Sequence, residues 1–554
     1  MSARRRFSVA ACSRHRLVLV LLAACLAAIA FGASAAPFSE LSIGNGAEPV
    51  TLDPHRSEGV STANILRDLY EGLTSEDPQG RIVGGVADRW EISPDGRRYR
   101  FHIRDNAKWS DGEPLTADDF VFAFRRSLDP HTGSAYASLL VPIENADAVI
   151  AGQKPPESLG VAAPDPRTVE IRLRAPTPYF LRLLAQESSF PVHRPSLLRY
   201  GDQFARPGRL ISNGPYQLKA WVVQSQVVLE RNPCYWNNEH TAIDRVTYVP
   251  TEDAASELKR YRAGELDITY QVPLTQLPWL RTHLADQLHL APYLGVYYYG
   301  LNLTREPFRD NPKLRQALAL ALDSSLIADK VMHGAAATAT GWVPAETEQH
   351  LPAQFPWSND SRSERWNRAR QLYREAGYSA ERPLSVEIRY NTQTDHRRIA
   401  TVIAAMWKQA LGVEVTLSNE EWKVFLQERR QRRTTEVFVG SWIADYDDPL
   451  SFLEILESGN ALNAEGYDNP RFDRLLEAAR SDDDPQSRRA QLNEAEQMVL
   501  ADLPVLPIYF YQSKHLVKSR VLGWQDNPMD HHYSKDLRLA APPPLELGKA
   551  AGIT

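Results

Sequence analysis

The chain has 554 residues, 43% of them hydrophobic and 24% charged. That length supports two or three domains with sizeable cores, and the composition is that of an ordinary globular chain with no disordered bias. The formal net charge of −6 becomes −11 once the five arginines of the first 35 residues are removed, which argues against nucleic acid and against an anionic membrane surface as partners.

The first residues read as an export signal. Arg4, Arg5, Arg6, Arg14 and Arg16 form a basic region, Leu17 to Phe31 an apolar one, and Ala33-Ser34-Ala35 a small-residue cleavage site. The expectation is a signal peptide over 1–35 and a mature chain from Ala36. Leu22-Ala23-Ala24-Cys25 also resembles a lipoprotein box, although apolar residues continue past Cys25. No second long apolar run follows. Cleavage leaves Cys234 alone, so no intramolecular disulfide is expected.

In chain order, Leu41–Gly44 reads as a strand and Tyr99–Ile103 as a half-exposed one. Thr116 caps a helix reaching Leu128, with Asp118 and Asp119 in its first turn. Val169–Leu173 alternates again. Short strands follow at Tyr216–Leu218, Val227–Glu230 and Val246–Val249, then a helix over Ala254–Arg262 stopped by Gly264. Asn311 and Pro312 start a helix, Trp366–Ala376 is another, and Val386–Tyr390 is a strand. Ile399, Val402, Ile403, Met406, Trp407, Ala410 and Leu411 form one helical face, and Val413–Leu417 returns as a strand. This βαβ pattern predicts an α/β fold with a helix-covered sheet. Val505–Tyr511 and His515–Val517 read as two further strands.

Motifs for catalysis are mostly missing. There is no Walker A loop, HExxH or Gly-x-Ser-x-Gly, and Gly44-Asn45-Gly46 lacks a third glycine and a following helix. Ser256-Glu257-Leu258-Lys259 fits Ser-x-x-Lys without an accompanying Lys-Thr-Gly, so it reads as an exposed helix face; a secreted serine hydrolase stays a remote alternative. His531-His532 has no supporting ligand spacing and reads as an exposed loop. No enzyme, cofactor or metal is expected.

Gly440-Ser441-Trp442-Ile443-Ala444-Asp445-Tyr446-Asp447-Asp448-Pro449 follows the apolar run Val437-Phe438-Val439. It reads either as a solvated acidic loop closed by Pro449, or as one carboxylate, Asp445, walled by aromatics and set to pair with a cation. The surrounding chain resembles the dipeptide and oligopeptide solute-binding proteins of bacterial ABC importers, extracellular solute-binding family 5. The residues carrying the resemblance include Thr51-Leu52-Asp53-Pro54-His55, Lys108 to Phe120, Ser212-Asn213-Gly214-Pro215-Tyr216, Leu229 to Pro233, Tyr297-Tyr298-Tyr299 and Ala444-Asp445-Tyr446. It runs from about Leu41 to Val517.

The resemblance implies a two-lobed periplasmic binding protein fold (type II, cluster C) with an extra inserted domain and a hinge. Lobe I is expected at 36–70, 195–295 and 512–554, the extra domain at 71–194, and lobe II at 296–511. It implies a monomeric periplasmic receptor that captures short peptides and delivers them to an inner-membrane ABC permease, or alternatively a murein tripeptide receptor for cell-wall recycling. It places Asp445 opposite the peptide α-ammonium, and Glu58-Gly59-Val60 and Gly440-Ser441-Trp442-Ile443 along the peptide backbone. Tyr136, Tyr270, Tyr299, Trp422 and Trp442 match pocket aromatics, and His396, Arg429 and Arg430 match cations for the other end. Val439 stands where relatives usually carry an arginine, and Gly295 and Ile443 stand where relatives carry a cysteine pair.

Overall fold

The computed structural model describes residues 38–540; the expected signal segment with Cys25, and the tail from 541, lie outside the described residues. Strand β1 (Glu40–Gly44) leads into helix α1 (Val60–Leu69). Strands β2 (Ala87–Ile92) and β3 (Arg98–Ile103) precede α2 (Ala117–Leu128), and β4 (Val161–Asp165) and β5 (Thr168–Arg172) follow it. Thr116 and Asp119 close the start of α2 with a reciprocal capping box.

Strands β6 (Tyr216–Val222), β7 (Gln226–Arg231) and β8 (Arg245–Val249) come next, then α3 (Ala254–Ala263), which Gly264 ends in the left-handed conformation. A long strand, β9 (Leu288–Leu301), precedes α4 (Pro312–Ala321) and β10 (Ala336–Thr338). After α5 (Arg362–Glu375) come β11 (Ser385–Asn391), α6 (Thr394–Leu411), β12 (Glu414–Glu420), α7 (Trp422–Gln431) and β13 (Val437–Ile443). Helices α8 (Pro470–Ser481) and α9 (Pro485–Asp502) lead to β14 (Val505–Leu516).

Three larger sheets result, in the orders β1-β8-β7-β6, β2-β3-β5-β4 and β10-β14-β9-β13-β11-β12. In the six-stranded sheet β11 and β12 are parallel, joined through α6 as the βαβ pattern predicts, while β9 runs antiparallel to both neighbours. Side chains of β9 alternate between its faces: Val296 and Tyr298 enter one buried cluster, Tyr297, Tyr299 and Leu301 the other.

Two elements differ from expectation. Val505–Tyr511 and His515–Val517 are not separate strands, because β14 continues through the polar residues Gln512–Lys514 while pairing with β9. Strand β9 itself has no sequence signal across Pro292 and Gly295. Its register against β14 shifts between Pro292 and Val296, where the pair leaves the six-stranded sheet. Beyond that shift the pair approaches the first sheet, and Ile268 bridges both Ile43 and Val517.

Candidate functional site

Strand β13 supplies the first half of the site. Glu436 accepts from Asn302 N–H, and Ala444 N–H donates to Leu294 C=O, so even-numbered residues between them turn their backbone groups toward β9. Ser441 and Ile443 therefore turn theirs to the opposite edge. There β11 pairs only with Val437 and Phe438, which leaves the edge from Gly440 onward without a strand partner among the described residues. Gly440 is required by packing, since a Cβ there would fall on the buried Tyr298 ring.

The acidic stretch after β13 is a packed turn. Asp445 N–H donates to Ser451 Oγ, 3.0 Å away, and Gln186 Nε2 donates to Asp445 C=O at 2.8 Å. Tyr446 stacks on Tyr179 with ring centroids 4.8 Å apart. Asp448 is buried and takes both arms of Arg488, at 2.8 and 2.9 Å. Asp447 accepts the Glu348 N–H at 2.7 Å. The solvated-loop reading thus fails for a physical reason: the fold brings partners to every group in the turn except one.

That group is the Asp445 carboxylate. It makes no hydrogen bond or ion pair with any described residue, and it lines a cavity of about 440 Å³. Burial, and then the Glu187 carboxylate, push its pKa up to about 6. Tyr136 also lines the cavity; burial first, then Asp445, raise its pKa. A half-buried carboxylate with an acidic neighbour and no cation is a place where a ligand ammonium gains most.

The opposite wall comes from the start of α1. Glu58, Gly59 and Val60 are exposed to the cavity, and Gly59 adopts φ 85° with nothing near its Cβ position. The segment is held from behind by Asp53, whose carboxylate accepts Arg126 at 2.9 and 2.6 Å. His55 beside it is buried, and burial and Arg126 drive its pKa down to about 4, so it packs as a neutral ring. Trp442 and Ile443 line the same cavity, and the Trp442 indole N–H has no partner among the described residues.

The remaining expected residues lie elsewhere. Tyr299 is fully buried between β9 and its covering helices, so it cannot line the cavity. Tyr270 lines a smaller neighbouring cavity. Trp422 is half exposed on α7, stacked against Phe425. Arg429 lies over Phe425 and Phe438, and Arg430 is exposed. His396 bonds Asn391 at 2.8 Å and leans on Tyr297; burial drives its pKa down to about 4, so it is neutral near pH 7 rather than a cation. Val439 is buried in the core. Ser256 and Lys259 are exposed on α3.

Sequence reasoning missed Arg67, Glu187, Tyr293 and His531 in the lining. Arg67 is buried and pairs with Glu187 at 3.3 Å, a contact between residues 120 positions apart that no local pattern announces. The exposed-loop reading of His531-His532 is also wrong. His531 Nδ1 lies 2.6 Å from Glu76 and His532 Nε2 3.0 Å from Asp530, and both rings are partly buried by these contacts.

The model for bacterial extracellular solute-binding proteins, family 5 Middle, matches residues 81–463. The periplasmic oligopeptide-binding protein OppA of Salmonella typhimurium is 40% identical over 93% of this chain and 95% of its own. Among solved structures, the Escherichia coli murein tripeptide binding protein MppA superposes with a TM-score of 0.81 at 37% identity, covering 91% of this chain and 99% of that one. Haemophilus influenzae OppA in complex with RPPGFSPFR gives 0.79 at 36% identity, with 91% and 99% covered. The α/β architecture is that of the two-lobed periplasmic binding proteins. With its family model matched over most of its length and its relatives matched almost end to end, the chain belongs to the bacterial extracellular solute-binding proteins of family 5.

Proposed function

We propose that the protein is a periplasmic receptor for short peptides, exported by a cleavable signal peptide, which acts as a monomer and hands its cargo to an inner-membrane ABC permease. The observation that carries this is the Asp445 carboxylate, unpaired in a cavity beside an unpartnered strand edge. A peptide offers what both lack: an ammonium for Asp445, and backbone groups for Ser441 and Ile443. Gly440 and Trp442 shape that edge, Glu58-Gly59-Val60 faces it, and Tyr136 flanks the ammonium. Tyr270, Tyr299, Trp422, Arg429 and Arg430 have no direct part in this cavity, and His396 enters only if a ligand carboxylate recharges it.

Closure is by two lobes: 36–70, 195–295 and 512–554 against 296–511, with 71–194 as an added domain and the β9–β14 pair as the connection. Calorimetry with tri- and tetrapeptides tests the reading. Asp445→Asn should cost free-amine peptides about 2–5 kcal/mol of affinity and leave N-acetylated ones nearly unchanged. Equal losses for both would rule out the ammonium pairing.

The burial of Val439 favours a second reading. That position cannot supply a cation to the far end of a linear peptide, so a ligand with its carboxylate placed elsewhere gains ground. Competition between Ala-γ-Glu-diaminopimelate and ordinary tripeptides decides between a murein receptor and a general one.

A further inference from the structure

The turn behind the cavity carries a cluster of ligand-type side chains that peptide capture does not use. His515, near the end of β14, is buried, and its Nδ1 lies 2.8 Å from the Thr269 carbonyl oxygen. A carbonyl can only accept, so Nδ1 carries a proton and is turned out of the cluster, which leaves Nε2 as the ring atom facing it. That atom sits 2.9 and 3.1 Å from the two oxygens of Asp530. From the other side His532 Nε2 lies 3.0 Å from Asp530 Oδ1. The three donor atoms all fall within 4.8 Å of one another.

Each member is oriented from outside the cluster. The His532 ring stacks on Trp524 with centroids 3.7 Å apart, and Trp524 meets His515 edge-on at 5.2 Å. Asp530 N–H donates to Asn527 C=O, and the Asn527 side chain bonds both the N–H and C=O of His531, fixing the turn. The Lys514 ammonium donates to Gln512 C=O, not to Asp530. The carbonyl bond to His515 is the outer contact that metal-ligating histidines characteristically make. In the metal-free protein a proton bridges the His515 Nε2 and the Asp530 carboxylate, and a divalent cation can take that proton's place.

We propose that His515, Asp530 and His532 form a binding site for a divalent transition-metal cation of the zinc class. Two imidazoles and a carboxylate suit that class, with the fourth position left to solvent. Tetrahedral ligands about 2.0–2.1 Å from zinc stand about 3.3 Å apart, so each histidine nitrogen needs to part from the Asp530 carboxylate by only a few tenths of an ångström. An adjoining cavity of about 40 Å³, lined by Tyr270, Trp524 and all three ligands, has room for one water. Met529 and His531 of the same turn line the larger cavity, so a bound cation fixes part of that wall.

The test uses the mature protein, purified through a chelator and titrated with Zn²⁺ by calorimetry and with Co²⁺ by visible absorption. The expected result is one equivalent bound, the intense visible bands of four-coordinate cobalt, and a zinc-dependent rise in Tm. His532→Gln, at a partly buried position that should still fold, is expected to lower zinc affinity at least about tenfold and abolish the cobalt bands. Asp530→Asn should do the same. Absence of binding by the unmodified protein overturns the site, and so does unchanged binding in both variants, which would place the metal on other histidines.

Discussion

Asp445 illustrates how one side chain can be costly to the fold and, in the proposed function, necessary to the ligand. Its pKa of about 6 lies above the unfolded value near 3.8. Between roughly pH 4 and 6 the folded protein retains a proton that the unfolded chain has lost. This group therefore favours folding at low pH, and that contribution is lost as pH rises through the window. Asp445→Asn should stabilise the unliganded protein at pH 7.5 by on the order of 2 kcal/mol, measured by urea denaturation; a destabilised variant would mean that the carboxylate has a partner. Binding runs the other way. The affinity of free-amine peptides should fall as pH drops below about 6, at most about tenfold per unit, and calorimetry on Asp445→Asn should show that dependence flattened. The sequence placed Asp445 among aromatics but could not show that Asp447 and Asp448 are satisfied by Glu348 and Arg488, which is what singles it out. Charges such as His396 were read as cations from position alone, while burial decides their state.

At the scale of elements, legibility followed locality. The capped helices at Thr116 and Asn311 and the βαβ run through α6 depend on neighbours within a turn or two, and they form where expected. Strand β9 depends on partners more than 100 residues away and was missed. Strand β13 rests on it closely. Gly440→Ala should cost about 1–3 kcal/mol through overlap with the Tyr298 ring, read as a lower denaturation midpoint; no change would show that the ring can move aside. Gly295 and Ile443 face each other across the two strands. They flank pairs bonded through Val296–Trp442, so they form the closer, non-hydrogen-bonded type with Cα atoms about 4.5 Å apart. A Gly295→Cys, Ile443→Cys double variant should close a disulfide on air oxidation, seen as a loss of two free thiols by mass spectrometry. Persistence of both thiols would contradict the register.

For the whole molecule, the β9–β14 pair is the proposed connection between lobes, and its register shift at Pro292–Val296 contains Tyr293, which also lines the cavity. Peptide binding is expected to reduce the radius of gyration in small-angle scattering; an unchanged profile under saturating ligand would argue against closure. The turn at 445–451 supports this arrangement from a third direction, because Gln186 and Tyr179 reach it from the 71–194 segment.

Two hydrogen-bonded strands side by side behave as a leaf spring. The ribbon resists stretching and sideways shear, because those motions break its ladder, yet it flexes readily across its thin dimension. In the proposed two-lobe closure, the register shift at Pro292–Val296 is where this ribbon bends, which leaves the two lobes one soft coordinate between them. On the proposed function, a permease would judge the receptor's load from that single angle, and a stiffening substitution at Tyr293–Gly295 would blur the signal even with peptide in place.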